Sequence, residues 1–208
     1  PGAIANGFTT SSVPSVTINT FGNGNPIAMG SSVTSATNNT SFGSLCVGGS
    51  SVTKTYSVQN TGTAPLYIGN INIAGATNFS VGTYPTSVAA LGTATFPVTF
   101  SVGSAGVSNG TVNILSNDCT NPTFSFAISG TVNALPSAFI NTPTSNTSIC
   151  MGQTTSILAT GAGPSSYTIG FASSNGSSIF NGTPFTPTAS GTYSAYATDV
   201  ISGCIGTV

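Results

Sequence analysis

The chain predicts an all-β protein of two tandem β-sandwiches, and three observations carry that prediction. Short runs of alternating apolar and polar residues recur along its 208 residues, the period of strands buried on one face. Turn chemistry separates these runs, drawn from 26 glycines and 12 prolines. Surface polarity comes from Ser, Thr and Asn, which favour strands, turns and caps over helix interiors. Charge is almost absent: Lys54, Asp118 and Asp199 are the complete set, and there is no histidine.

The plan is clearest in Val52–Leu66. Val52, Tyr56 and Val58 alternate with Thr53, Thr55, Ser57 and Gln59, which reads as a half-buried strand. Asn60-Thr61-Gly62-Thr63-Ala64-Pro65 supplies a turn, with Gly62 available for φ > 0 and Pro65 fixing φ. Leu66-Tyr67-Ile68 and Ile71-Asn72-Ile73 then resume the extended pattern. Before this unit, residues 1–15 read as a linker or a strand awaiting a partner, and Val16–Phe21 as the first strand of a domain. Gly22-Asn23-Gly24-Asn25-Pro26 is a turn signal; Ile27–Met29 continues, and a polar stretch then leads to Ser41–Cys46.

After the central unit come Asn78–Val81 and a run from Ala94 to Val102 with Phe96, Val98, Phe100 and Val102 on one face. Pro97 within that run points to an edge strand or a bulge. Gly110–Leu115 and the alternating Phe124, Phe126 and Ile128 complete a sandwich of roughly immunoglobulin size over 16–133. Ala134-Leu135-Pro136-Ser137 marks the boundary to a second sandwich over 134–208. Its strands are Ala138–Ile140, Thr155–Leu158, Tyr167–Phe171, Ile179-Phe180 and Thr192–Ala197, with Tyr193 at the strand-F corner. Only four residues follow Cys204, so the closing strand reads as incomplete. The chain opens at Pro1 without methionine or a signal peptide and reads as a processed or excerpted product.

Residues 18–132 resemble the choice-of-anchor D repeats of the broader ASH-type immunoglobulin-like sandwiches. The pieces that carry the resemblance are GNGNPI (22–27), TSFGSL (40–45), QNTGTAPL (59–66), NFSV (78–81), ATFPVTFSV (94–102), and ILSND followed by FAISGTV. Residues 148–204 are similar to PKD-like or Ig-like repeats of Bacteroidota surface proteins, through SICMGQTTSILATGA, SSYTI, FTPTASGTYSAYATD and SGC. Both resemblances imply long extracellular adhesins or filaments. Two departures stand out: such repeats usually carry Asp, Lys and Arg, and a tryptophan after the SYT-type motif, whereas this chain has no Trp.

Four cysteines without Cys-x-x-Cys spacing, and without histidine, speak against zinc. Their even number suggests disulfides and an extracellular location. Three pairings are open; the domain boundaries favour Cys46–Cys119 and Cys150–Cys204, each worth about 4 kcal/mol in the loop-entropy model. Free buried thiols are the alternative. Lys54 falls on the inward parity with Tyr56 and Val58. An isopeptide bond assisted by Asp118 is one reading, and a strand-end lysine snorkelling to solvent the preferred one. Asp118 and Asp199 read as turn-forming carboxylates rather than calcium ligands, since Ca²⁺ takes about 6–8 oxygens.

Catalysis is not expected: nucleophile chemistry needs a base, glycoside hydrolysis needs two carboxyl groups flanking one bond, and the two aspartates belong to different domains. No cofactor and no metal is expected. One lysine makes no nucleic-acid surface, and no apolar run reaches the ~20 residues of a membrane helix. Sequons stand at Asn38, Asn39, Asn78, Asn109, Asn146, Asn175 and Asn181; many arise by composition, and O-linked sugar is an equal alternative. Tyr67, Tyr84, Tyr167 and Tyr196 are candidates for stacking on sugar rings, with a core role the commoner fate of such residues.

The expected role is a structural subunit of an extracellular filament or long cell-surface adhesin, a homo-oligomer or one stretch of a longer chain. Residues 1–15 of one subunit completing the second sandwich of the next would give a head-to-tail fibre. The alternative is a glycan-binding accessory module of a secreted multi-domain protein.

Overall fold

A computed structural model describes residues 13–142 and 148–207. The elements are β1 (Ile18–Gly22), β2 (Asn25–Ile27), β3 (Ser41–Cys46), β4 (Val52–Asn60), β5 (Leu66–Ala74), β6 (Phe79–Val81), β7 (Ser87–Val88) and β8 (Thr93–Phe100). They continue as β9 (Gly106–Ser116), β10 (Thr123–Asn133), β11 (Ser137–Thr142), β12 (Leu158–Ala162), β13 (Tyr167–Ser173), β14 (Tyr193–Asp199) and β15 (Ile205–Thr207). The fold is all-β, with two immunoglobulin-like sandwiches. No helix of the described residues is long and apolar enough to cross a membrane.

The chain divides into two compact units. The first takes the described residues up to Phe42, then Val52–Ser101 and Asn109–Ser129; the second takes Gly43–Ser51, Val102–Ser108 and the described residues from Gly130 on. The second unit thus draws on three segments of chain rather than one.

The first unit is built on two sheets, of strand order β2-β1-β4-β8-β6 and β3-β10-β9-β5-β7. The alternation read from the sequence becomes burial: Tyr56 and Val58 on β4, Phe96, Val98 and Phe100 on β8, and Phe126 and Ile128 on β10 are all buried. Tyr56 stacks on Phe96 at 5.5 Å between ring centroids and meets Phe126 at 5.3 Å. Phe79 packs on Phe100 at 4.7 Å and edge-on to Phe42 at 5.1 Å. Such offset and edge-to-face pairs suit the ring quadrupole.

The turns follow local chemistry. Asn23 and Gly24 close the β1–β2 hairpin with φ of 51° and 72°, the left-handed pair a two-residue hairpin loop needs. The turn after β4 is centred on Asn60, which is fully buried. Its Nδ2 donates to the carbonyls of Ala64 (2.8 Å) and Ala89 (3.1 Å), and its Oδ1 accepts from Gly62 N (3.0 Å). Gly62 is needed for space rather than for the positive φ expected: a Cβ there would lie 2.2 Å from Ser15 O.

Pro97 meets the expected edge position, though only locally. β8 lies inside its sheet, between β4 and β6. The proline is tolerated because β6 ends at Val81, paired with Val98, and beyond it only Gly82 N reaches Pro97 O (3.0 Å). The missing N–H therefore removes no ladder bond on that side.

In the second unit β11 pairs with β12, and β13, β14 and β15 form a three-stranded sheet. The core is small: Ala138, Ala159, Ala195 and Ala197, with Ile140, Ile169 and Phe171 packed against them. Ile179 and Phe180, expected as a strand, lie outside any strand. Next to them Asn181 lines β12 with its side chain, accepting from Ala159 N (2.8 Å) and donating to Ala159 O (2.9 Å). One amide thus does for that edge what a neighbouring backbone would do. Tyr193 opens β14, its ring edge-on to Phe185 at 5.6 Å and its hydroxyl accepting from Asn175 Nδ2 (2.9 Å).

Candidate functional site

Each of the three charged residues, Lys54, Asp118 and Asp199, holds backbone. Lys54 sits half-buried near the start of β4. Its ammonium donates to Ser41 O on β3 and lies 5.1 Å above the centre of the Phe42 ring. Burial lowers its pKa. Asp118, in the β9–β10 connection, is 1% exposed. It accepts from Ile18 N on β1 (3.0 Å), Thr120 N (2.8 Å) and Asn121 N (3.1 Å). Burial alone would raise its pKa, but these N–H donors outweigh it and the net shift is downward.

Lys54 and Asp118 are therefore two staples between the sheets of the first unit. One runs from β4 to β3, the other from the β9–β10 connection to β1. Ile18 pairs with Asn60, six residues along β4 from Lys54, which is about 20 Å of strand. That separation removes the isopeptide reading assisted by Asp118.

Asp199 does the same service in the second unit, closing the β14–β15 turn. It accepts from Ser202 N (2.7 Å), Ser202 Oγ (2.8 Å), Ile201 N (3.1 Å) and the Ser165 hydroxyl. The Ser165 hydroxyl first, then the Ser202 donors, bring its pKa down to about 2.

The cysteine pairing is corrected. Cys46 is bonded to Cys204, with 5.7 Å between Cα atoms, and Cys119 and Cys150 are free and exposed. Strand geometry gives the reason. Val47 N bonds to Asn133 O at the end of β10 (3.0 Å), so Cys46 lies at that end. Cys119 precedes the start of the same strand, whose eleven residues span about 33 Å, far beyond the ~7 Å a disulfide bridges. Gly206 of β15 packs so closely on Pro136 that a Cβ would stand 1.5 Å from its carbonyl oxygen. That close packing brings Cys204 to Cys46, leaving Cys150 without the partner expected for it.

Of the sequons, Asn175 and Asn181 have their Nδ2 engaged, Asn175 with Ala189 O (2.8 Å) and Tyr193 Oη, Asn181 with Ala159 O. Asn38 accepts from the Thr40 hydroxyl (2.7 Å) and Asn39 stands at φ 63°. Asn78 is half-buried and Asn109 is exposed on β9. Asn146 lies outside the described residues, as do residues 1–12 of the expected donor segment.

The four tyrosines separate. Tyr196 lies over Gly170 of the paired strand, where a Cβ would come 2.3 Å from its ring. Tyr167 donates its hydroxyl to Gly161 O, and Tyr84 donates to Asn70 Oδ1 (3.1 Å). Tyr67 is 58% exposed. It stands on the outer face of β5 and β9, beside a shallow depression of about 260 Å³ lined by Gly69, Leu115, Ser116 and Asn117.

No family model matches the chain, and no curated protein matches it. Among solved structures it is similar to a Porphyromonas gingivalis W83 protein of unknown function, at 12% identity and TM-score 0.43, over 61% of this chain and 51% of that one. It is also similar to the ASH/PapD-like domain 7 of human CEP192 (13%, TM-score 0.40, 64% and 95%). A third likeness is to the fibronectin(III)-like modules of Clostridium thermocellum CbhA (14%, TM-score 0.34, 86% and 88%). The chain spans about half the length of the Porphyromonas protein.

Proposed function

We propose that this chain is a structural unit of an extracellular filament or long cell-surface adhesin. Its first sandwich is of the choice-of-anchor D kind and its second of the PKD-like or Ig-like kind. The observation that carries this reading is the fate of the charged groups. Lys54, Asp118 and Asp199 each bond to backbone, a structural use of the charged side chains rather than one poised for proton transfer. The Cys46–Cys204 bond supports an oxidising, extracellular setting.

Assembly proceeds by strand addition, with residues 1–12 of one subunit laid along the next; the expected donor segment is shortened because Ser15 is tied to Thr63 and Ala64 of its own chain. β13 pairs with all seven residues of β14 and β15 with only Tyr196–Thr198, so β14 offers further backbone for an added strand. The test is electron microscopy of the native material and of the purified chain. Ordered filaments are expected, and their loss on deleting residues 1–12. Discrete monomers at high concentration, or turnover of a substrate, would overturn the reading.

A further inference from the structure

We infer that the outer face of β5 and β9 binds a neutral polysaccharide, with Tyr67 as the stacking platform and Asn70, Asn72 and Asn113 as its hydrogen-bonding row. This goes beyond the structural role and does not depend on it.

The face exists because of a bulge. β5 faces Ser116 with Ile68 and Leu115 with Asn70, so Gly69 is an extra residue in the ladder. By simple alternation Tyr67 would point opposite to Asn70 and Asn72. The extra residue restores them to one side, where all three are exposed. It also leaves a gap floored by a residue without a side chain, next to Leu115 (48% exposed). The backbone of Tyr67 is fixed from two sides: it pairs with Ser87 of β7, and its N–H donates to Asn117 Oδ1 (2.8 Å). Its ring is thus an exposed apolar plate on a rigid support.

The amides are arranged so that each keeps one end for a ligand. Asn113 Nδ2 donates to Asn72 Oδ1 (3.2 Å), and Tyr84 Oη donates to Asn70 Oδ1. These bonds hold the side chains in place and leave the Nδ2 groups of Asn70 and Asn72 and the carbonyl of Asn113 turned to other partners. Asn70 and Asn72 are two residues apart, about 7 Å along the strand. Sugar hydroxyls both donate and accept, and the apolar face of a pyranose stacks on an aromatic ring. Exposed tyrosine and amide groups supply both contacts at low entropic cost.

Charge selects among sugars. None of Lys54, Asp118 and Asp199 belongs to this face, so nothing on it would pair with a carboxylate or sulfate. The depression is shallow, which suits several units of an extended chain rather than one enclosed monosaccharide.

The test is depletion of the purified chain from solution by insoluble neutral polysaccharides (cellulose, chitin and granular starch), with an insoluble polyuronate as the charged control. Wild type is expected to be depleted by at least one neutral polymer and not by the polyuronate. Tyr67→Ala and the pair Asn72→Ala/Asn113→Ala are expected to weaken binding about tenfold or more, while Tyr167→Ala leaves it unchanged. Circular dichroism confirms that each variant is folded. No depletion of wild type, equal binding by Tyr67→Ala, or self-association that Tyr67→Ala abolishes would each overturn the inference. Filament imaging of Tyr67→Ala in parallel keeps this result separate from the assembly reading.

Discussion

The first unit closes its sheets over Tyr56, Phe96, Phe100 and Phe126, whereas the second closes over Ala138, Ala159, Ala195 and Ala197. A buried aromatic removes about 150–250 Å² from water, and an alanine far less. The second unit offsets that deficit with directed bonds. Its disulfide joins Cys46 to Cys204, Asp199 gathers its turn, and Asn181 clasps β12. One architecture can therefore rest on burial or on clasps, and the two should fail in different ways.

The largest expected effect lies in the aromatic core. Phe100→Ala should destabilise the first unit by about 3–5 kcal/mol, read by denaturant unfolding. Ala197→Gly in the second core should cost only about 0.5–1 kcal/mol. Equal costs would end the comparison. Next comes the disulfide: Cys204→Ser should lower the stability of the second unit by about 2–5 kcal/mol. Peptide mapping without reductant should recover Cys46 joined to Cys204, and a Cys46–Cys119 peptide would refute the fold's strand arrangement.

Acid should act on the carboxylates in both units. Asp118 and Asp199 titrate lower in the folded chain than the usual value of about 3.9. Their contribution is present above that value. It is lost as pH falls from about 4 toward about 2, because the unfolded chain then binds more protons. Asp118→Asn should cost the first unit about 1–3 kcal/mol at neutral pH by weakening the bond to the buried Ile18 N–H. Asp118→Asn and Asp199→Asn together should flatten the acid slope of thermal unfolding. The smallest effect is a gain. Thr20 Oγ1 is a buried polar atom with no partner, and Thr20→Val should raise stability by about 1 kcal/mol.

Much of the first unit is legible in the chain because its strands alternate strictly. Phe96, Val98 and Phe100 can be assigned to one face by counting, and Asn23-Gly24 names its own hairpin. Counting fails where geometry intervenes. The bulge at Gly69 reverses the parity of β5, so Tyr67 is nominated by residue type while its shared face with Asn72 is not. Ile179-Phe180 has the composition of a strand, yet an asparagine side chain takes the strand's place beside β12. Cysteine spacing carries no record of which strand ends meet, and that alone decides Cys46–Cys204. The staples at Lys54 and Asp118 are hidden for the same reason, since each binds a main-chain atom that any residue would supply.

The placement of those few charges has a practical consequence for where such a molecule can work. Dissolved ions screen fields over about 10 Å at 0.1 M salt, and here the fixed charges already face bonded oxygen or nitrogen at contact range. Moving from dilute water to brine should change neither cohesion nor shape to any great degree.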